Sequence, residues 1–426
     1  MKKNKYDLII VGGGAAGLMA AITAAKKSKK VLILEHQSCL GRKILSTGNG
    51  RCNFTNHKQG IRYYLCDDPA FVISIIRQFS AEDTVSFFRE LGIRERKRDG
   101  YYYPRTNQAA TVLNGLLYAL KLYGVEVALE CELSEIEKGP EGFLCKTNQR
   151  LYRGTACLIA TGGCAAPKLG SDGSGYALAT QFGHHIKQPL PSLTALETTA
   201  VWKKETSGVR CEACLSLWKN GQFISKDTGE LQMTEYGLSG IPIFQISHHA
   251  IHALEEGSRA EILINFLPEF SESEIITMIS PILCGYTELL KKSDHHRKPQ
   301  AILALALVKT LGHFVHHKLA SMLVRQIKFS KSDPERVMRG EVSECVTSLL
   351  PYLTEFKVEI SGYKGFDFAQ VTSGGVDISE LYPKTMESKL VSGLYFAGEI
   401  VDVDGLCGGY NLQWAWSSGY VVGKHI

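Results

Sequence analysis

Long hydrophobic runs are missing from this sequence. None of its 426 residues lie in an uncharged apolar stretch of about 18 residues, so we predict no membrane-spanning helix and no membrane partner. The first apolar strand follows almost directly on the N-terminus, which leaves no room for a signal peptide, and we expect a cytoplasmic protein. Its twelve cysteines are then expected to be free thiols in a reducing compartment.

Metal-binding and redox-active cysteine patterns are also scarce. Cys211 and Cys214 alone have the spacing of a metal or redox pair, and no second pair or histidine pair completes a zinc site. No Cys-x4-Cys pair follows the second predicted strand, which argues against disulfide reduction. We therefore predict no metal site and no dithiol chemistry.

Concentrated positive charge is missing as well. The net charge of +5 is spread along the chain. The densest basic cluster, Arg94 to Arg98, contains Glu95, and we interpret it as a solvated loop. The sequence therefore predicts a small-molecule substrate and no nucleic-acid partner, and it leaves the oligomeric state open.

One stretch near the start, Asp7 to Glu35, organises the rest of the chain. A short apolar run ends at Val11 and enters a Gly-x-Gly-x-x-Gly turn at positions 12, 14 and 17, and an alanine-rich helix follows. A second apolar run then ends in Glu35. Strand, glycine turn, helix, strand and acid in this order predict a dinucleotide-binding unit. The helix start would receive the pyrophosphate and Glu35 the adenosine ribose.

The acid at position 35 disfavours a 2′-phosphate, so this unit alone leaves FAD and NAD(H) open. Residues 36–56 form a loop rich in glycine and in Arg42, Lys43 and Arg51, which we expect to run along the cofactor. A helix predicted from about Asn411 follows a glycine-rich loop, and the N-terminus of such a helix would stabilise the negative charge of a reduced flavin. Both features are needed to bury a flavin ring, so we predict FAD.

The pattern of apolar and polar residues along the chain predicts an α/β fold with an insertion. Residues 1–188 and 367–426 would form a Rossmann-like FAD-binding domain. Residues 189–268 alternate in short runs and predict a β-barrel-like subdomain, and residues 269–366 predict a helical segment with a return strand. We expect the insertion to cap the flavin and form the substrate cavity.

Four motifs together resemble one family. The glycine turn, GRKILSTGNGRCN at 41–53, ATGG at 160–163 and GEIVDVDGLCGGYNLQWAWSSG at 398–419 are similar to the YhiN-type flavoproteins, whose members are named variously as oxidoreductases, BaiN-type reductases and aminoacetone oxidases. The resemblance covers nearly the whole chain and places it in the glutathione-reductase-like FAD superfamily. It implies FAD as the cofactor, and no histidine is evident for covalent attachment, so we expect non-covalent binding.

The resemblance also implies which residues hold the cofactor. The turn and helix start would face the pyrophosphate, Glu35 the ribose, and the backbone of Val127 the adenine. Other segments would line the route to the flavin ring, close over it or point N–H groups at it. The full set is Gly12, Gly14, Ala15, Ala16, Glu35, Arg42, Lys43, Thr47, Gly48, Asn53, Val127, Thr161, Gly162, Gly398, Glu399, Gly409, Tyr410, Asn411 and Leu412.

Several reactions are compatible with these features. The leading hypothesis is reduction of an activated carbon–carbon double bond in an enone or steroid-like substrate, with NAD(P)H as a transient donor because no second glycine unit is present. The alternatives are an amine oxidase that produces hydrogen peroxide and a flavin-dependent RNA-modifying protein. Tyr103, Arg105 and Cys52 are the weak candidates for proton handling. A structural role is the favoured explanation of the tyrosine segment, and a buried inert thiol explains Cys52 as well as a reactive one does.

Overall fold

The computed structural model describes residues 5–293 and 296–426. Its strands are β1 Lys5–Val11, β2 Val31–Leu34, β3 Thr55–Asn56, β4 Tyr64–Leu65, β5 Glu95–Arg98, β6 Tyr101–Pro104, β7 Glu126–Ala128, β8 Leu133–Gly139, β9 Gly142–Thr147, β10 Leu151–Ile159, β11 Ile186–Ser192, β12 Leu196–Thr198, β13 Arg210–Lys219, β14 Gln222–Met233, β15 Gly237–Ser239, β16 Ala260–Asn265, β17 Phe356–Tyr363, β18 Val371–Val376, β19 Leu394–Phe396 and β20 Asp404–Gly405.

The helices alternate with these strands in the first half of the chain and cluster between β16 and β17. They are α1 Ala15–Lys26, α2 Arg42–Ser46, α3 Pro69–Ile76, α4 Ala81–Glu90, α5 Ala109–Leu122, α6 Ser174–Gln181, α7 Lys203–Thr206, α8 Ile241–Glu255, α9 Glu272–Ser293, α10 Pro299–Leu311, α11 His317–Gln326, α12 Asp333–Met338, α13 Ser343–Thr354 and α14 Tyr410–His425. Among the described residues, no helix is long and apolar enough to cross a membrane.

The chain divides into two compact units, one running to Ser192 and resuming at Gly365–Ile426, the other Leu193–Lys364. The first unit is built on a sheet of order β7-β2-β1-β10-β9-β8. Strands β7, β2, β1 and β10 are parallel, and β9 and β8 are antiparallel. The long strand β10 pairs with β9 through its first half and with β19 through its second half. The β1-α1-β2 unit predicted from the glycine spacing is therefore confirmed.

Helix α14 packs directly on α1 because both helices present small residues at the contact. A Cβ added to Gly419 would lie 2.3 Å from the carbonyl oxygen of Ala16, and one on Gly423 would lie 2.5 Å from that of Ala20. Side chains larger than hydrogen would force the helices apart. This contact holds the middle of α14 against the start of α1, although about 400 residues of chain separate the two positions.

The second unit is a closed barrel of strand order β12-β15-β14-β13-β16-β17 with helices beside it. Helix α8 packs against five of the six strands, and α13 joins the helical group α9–α13 to β16 and β17. The α/β fold class with barrel-like and helical parts is thus confirmed. The sequence did not indicate α8, because this segment contains a proline and several histidines and lies within residues 193–267, where the short alternating runs predict strands.

One local prediction was wrong. Residues 94–98 are not a loop: Glu95–Arg98 forms β5, which pairs with β6 in a three-stranded sheet of order β3-β6-β5. The tyrosines of β6 supply a β-favouring partner that outweighs the low strand propensity of the charged residues.

Candidate functional site

The turn between β1 and α1 is shaped by close backbone contact. Gly12 has a φ of +102°, and a Cβ on Gly17 would lie 2.1 Å from the Gly12 carbonyl oxygen. Gly14 immediately precedes α1, and a Cβ there would meet nothing within 4 Å. The turn therefore leaves open space at a helix start whose first N–H groups have no partner within the helix, which suits an incoming phosphate.

Glu35 closes the opposite side of this turn. Its side chain is buried, with one oxygen accepting from the Gly13 N–H at 2.8 Å and the other from the Gln37 N–H at 2.9 Å. His36 Nδ1 also lies 3.3 Å from Oε1, whereas Oε2 keeps a further lone pair for a hydroxyl donor. Val127 lies in β7 beside the same strand end, where the Glu35 N–H donates to the Ala128 carbonyl at 2.9 Å. The structure thus brings these two predicted residues to one strand end.

The loop after β2 is tied to the turn at 398–400. Lys43 Nζ lies 2.7 Å from Glu399 Oε2, and Glu399 Oε1 accepts from the Thr372 N–H at 3.0 Å. Arg42 instead donates to the Gln37 side chain, and Thr47 Oγ1 donates to the Ile44 carbonyl at 2.6 Å. Lys43 and Glu399 therefore form a salt bridge that joins the two segments. The sequence did not indicate this pair, because the two residues are far apart along the chain.

Gly398 lies next to the start of α1. A Cβ there would lie 2.9 Å from the Ala16 Cβ, and the Gly398 N–H donates to Ser418 Oγ at 3.0 Å. The Trp414 indole N–H donates to the Gly398 carbonyl, also at 3.0 Å. Both backbone groups of Gly398 are thus bound by α14. Its role is to bring the 398–400 turn against the helix start that we expect to receive the pyrophosphate.

The start of α14 has the features expected of an anion-stabilising element. Gly409 caps it with a φ of +90° and no side-chain hydrogen bond, and Tyr410, Asn411 and Leu412 form its first turn. The Asn411 side chain grips the preceding turn, since it accepts from the Gly405 N–H at 2.8 Å and donates to the Gly405 carbonyl at 2.6 Å. The positive end of a sixteen-residue helix is thereby fixed in place.

A buried polar atom without a partner lies at this helix start. The side-chain oxygen of Asn53 is buried and has no hydrogen-bond partner among the described residues. It lies 2.9 Å from the position that a Cβ on Gly409 would take, and the Asn53 N–H faces Gly48. An unsatisfied buried acceptor of this kind calls for a donor. The N–H of a flavin pyrimidine would supply one, so Asn53, Gly48 and Gly409 fit the group that the sequence predicts.

Thr161 and Gly162 follow the end of β10, beside the β1 turn. A Cβ on Gly175 would lie 2.0 Å from Thr161 Oγ1, and one on Gly12 would lie 2.5 Å from the Ala160 carbonyl oxygen, so this segment is packed against both α6 and the glycine turn.

The Tyr176 hydroxyl in α6 is also buried without a partner among the described residues, and burial raises its pKa. No signal in the sequence singled Tyr176 out, because a tyrosine on a helix is usually structural.

The three proton-handling candidates have different environments. Cys52 is fully buried, which raises the pKa of its thiol to about 12 and favours the inert-thiol alternative. Tyr103 is half-buried, its ring 3.8 Å from the Cβ position of Gly48; burial raises its pKa, while the charges of Arg51 and Arg98 oppose that rise. Arg105 is exposed at the end of β6. Among the three candidates, Tyr103 is the one that is held protonated and is also partly exposed next to the loop at residues 36–56.

A cavity of about 560 Å³ lies elsewhere in the same unit. Its lining includes Lys5 and Asp7 at the beginning of β1, together with Thr155, Ala156 and Ile426. Since Gly12 follows the opposite end of β1, this cavity is separate from the candidate cofactor site.

Among residues 5–293 and 296–426, no three metal-ligating side chains are grouped closely enough to hold a metal ion.

Comparisons with known proteins add three relatives and one family model. The model described as the HI0933-like protein Rossmann domain matches residues 6–425. A 3-dehydro-bile acid delta(4,6)-reductase of Clostridium scindens is 37% identical, covering 93% of this chain and 92% of that protein. Ribosomal RNA dihydrouridine synthases of Haemophilus influenzae and Escherichia coli are 31% and 29% identical, covering 98% and 99% of this chain and 98% of each relative.

These relatives overturn one prediction. Two full-length relatives carry the name of an RNA-modifying enzyme, so the exclusion of a nucleic-acid partner was wrong. The exclusion rested on the absence of a basic run, and it took the cluster at 94–98 for a solvated loop. Because Glu95–Arg98 forms strand β5, its pairing with β6 determines which of these charged residues share a face of the sheet.

Proposed function

This chain belongs to the HI0933-like Rossmann-domain family and is an FAD-dependent oxidoreductase, and on that basis we propose that it reduces a carbon–carbon double bond conjugated to a carbonyl group. The observation that carries the proposal is the cradle formed by the start of α14 and the unpartnered Asn53 oxygen. A helix N-terminus there favours negative charge on the flavin pyrimidine, which stabilises the reduced cofactor.

The names of the relatives support one bond type. The name 3-dehydro-bile acid delta(4,6)-reductase describes double bonds at positions 4 and 6, which form a conjugated chain with a carbonyl at position 3. A dihydrouridine is a uridine whose ring double bond, also conjugated to a carbonyl, has been reduced. The same addition of a hydride and a proton accounts for both names. We therefore propose an enone-type bond as the target, in a small molecule or, as the second candidate, in an RNA uridine.

We propose that the cofactor is bound by the residues named above. The open turn at Gly12, Gly14 and α1 would hold the pyrophosphate, and Glu35 would accept the ribose hydroxyls. When bound and reduced, FAD would supply a hydride from N5, and a reduced nicotinamide is the proposed source of the two electrons. The residues of the chain orient the ring, and Asn53 and the α14 start would bind its pyrimidine edge.

Tyr103 is the proposed proton donor. Addition of a hydride to one carbon of the double bond leaves negative charge that the neighbouring carbon and the carbonyl share, and a proton must then reach that carbon. Tyr103 keeps its proton because burial raises its pKa, and its ring lies beside Gly48 in the loop at residues 36–56. A positioned acid of this kind contributes about 10²-fold to 10⁴-fold in rate.

Substitution of Tyr103 tests this role. We expect Tyr103→Phe to lower kcat for enone reduction by about 100-fold, because the proton must then come from water. The wild-type rate should fall at high pH as the phenol ionises, and the variant should lose that limb. Tyr102→Phe is the matched control, since the Tyr102 ring lies on the other face of β6, against Phe54 at 6.3 Å. Equal rates for the Tyr103→Phe and Tyr102→Phe variants would show that Tyr103 is structural.

The overall proposal is tested with purified FAD-loaded protein under anaerobic conditions. NADH or NADPH should be consumed in step with the loss of enone absorbance when 2-cyclohexen-1-one or a 3-oxo-4-ene steroid is added. The amine-oxidase alternative predicts instead that aminoacetone reduces the flavin and that oxygen then gives hydrogen peroxide. Peroxide formation from the amine without any enone turnover would contradict the reductase proposal.

A further inference from the structure

The edge strand β5 presents a row of arginines beside the candidate flavin site. Cross-strand pairing places Arg96 opposite Tyr103 and Arg98 opposite Tyr101. Directly paired side chains project from the same face of a sheet, so these four residues share one face. The arginines are about 7 Å apart, which is two residues along a strand. We call this set of four residues the arginine face.

The arginine face adjoins both segments that we assign to the flavin. The ring of Tyr103 lies 3.8 Å from the Cβ position of Gly48, and that of Tyr101 lies 2.9 Å from the Cβ position of Gly408, at the entry to α14. On the neighbouring strand, Asn56 pairs with Tyr101 and donates to the Gly408 carbonyl at 3.0 Å. The arginines therefore lie at the edge of the proposed reaction site rather than on a remote surface.

The positive charge of this region is little compensated. Glu95 belongs to the opposite face of β5, where Arg89 binds it through Nε at 2.9 Å. The nearby carboxylate of Asp99 lies 3.5 Å from Arg98 Nε, with both side chains more than 70% exposed, so water screens that pair. The Arg96 side chain is exposed and makes no hydrogen bond or ion pair with any described residue.

Two further cations extend the row. The Arg51 N–H donates to the Gly48 carbonyl at 3.2 Å, and Gly48 is the residue next to the Tyr103 ring, so Arg51 lies close to Tyr103. The Lys58 stem lies 4.0 Å from the Cβ position of Gly100, in the turn that joins β5 to β6. Both side chains are exposed. Cations thus flank Tyr101 and Tyr103 at both ends of the short β5–β6 hairpin.

We propose that the arginine face, with Arg51 and Lys58, binds a single-stranded RNA segment and presents one of its bases to the flavin site. Arginine recognises phosphate oxygens through its planar fork of donors, and tyrosine rings offer stacking surfaces for unpaired bases. Cations that alternate with aromatic rings suit a polyanion of stacked bases better than an acidic protein. An enzyme that acts on a base must take it out of its stack, so a single-stranded segment is the form that can enter. This inference rests on the RNA candidate of the proposed function and deepens it by naming the surface.

Binding of labelled oligonucleotides to the FAD-loaded protein tests the inference. The probe is an oligouridylate of about 12 nucleotides, with duplex RNA of the same length as the comparison. We expect the Arg96→Gln/Arg98→Gln variant to bind the single strand about ten-fold more weakly. The slope of log affinity against log salt should fall by about 1.4, at about 0.7 for each lost phosphate contact.

The matched control is Lys146→Gln/Arg150→Gln, which removes the same charge from exposed positions on the β9–β10 hairpin of the same unit. It should bind RNA like the wild type. Equal losses in the two variants, no single-strand binding by the wild type, or equal wild-type affinity for duplex and single strand would each overturn the inference. Turnover of 2-cyclohexen-1-one, measured in parallel, reports the proposed reaction separately. This turnover should persist in the Arg96→Gln/Arg98→Gln variant. A wild type that binds RNA but does not turn over the enone would count against the proposed reaction and not against the RNA surface.

Discussion

Replacement of Gly17 by valine is expected to abolish FAD binding. A Cβ at position 17 would lie 2.1 Å from the Gly12 carbonyl oxygen, a contact that real side chains do not make. Either α1 moves away from the end of β1 or the glycine turn reshapes, and both changes displace the helix start from the proposed pyrophosphate. Overpacking of this kind costs about 3 kcal/mol in the free energy of unfolding.

The measurements are flavin absorbance of the purified protein and its thermal unfolding. Gly285→Val provides the matched control, because Gly285 also lies within a helix, α9, but a Cβ there meets nothing within 4 Å. That control should keep its flavin and lose little stability, since valine is no worse than glycine in a helix. A yellow Gly17→Val protein with wild-type FAD affinity would contradict the assignment of the turn.

Replacement of Glu35 by alanine is expected to weaken FAD binding by about 1,000-fold. The proposed carboxylate–ribose contacts are hydrogen bonds to a charged group, and each contributes about 2 kcal/mol. The substitution also leaves the buried Gly13 N–H without its acceptor at 2.8 Å, which distorts the turn itself. Titration of the apoprotein with FAD, followed by flavin fluorescence, measures the change.

Glu35→Gln separates the charge from the shape of the side chain. The amide oxygen can still accept from Gly13, whereas the amide nitrogen can only donate. We therefore expect an affinity between those of the wild type and the alanine variant. Wild-type affinity in Glu35→Ala would show that the acid only supports the turn and does not bind the ribose.

The sequence was informative wherever the physical cause is local. The glycine spacing at 12–17, the following helix and the acid at 35 lie within one short segment, and the structure has β1, α1 and β2 there. The helix beginning beside Gly409 was likewise predicted within a residue, because a run of glycines directly precedes it.

Features that depend on distant partners were not visible. The Lys43–Glu399 salt bridge joins residues 356 positions apart, and the unpartnered oxygen of Asn53 is defined only by what surrounds it. Strand β5 was missed because its pairing with β6, not its own composition, makes it a strand. Glu95 is bound by Arg89 on the opposite face of β5, so it does not neutralise Arg96 and Arg98, and the sequence alone does not show this.

The central claim, that the reduced flavin of this chain delivers a hydride to a conjugated double bond, is tested most directly in a single turnover. FAD-loaded protein is photoreduced without oxygen or nicotinamide and mixed with an excess of a 3-oxo-4-ene steroid or 2-cyclohexen-1-one. The account predicts that the absorbance of oxidised flavin returns while one equivalent of saturated ketone forms for each flavin. Reduced flavin that stays bleached with every enone and with a uridine-containing single-stranded RNA, yet is reoxidised at once by oxygen, would contradict it.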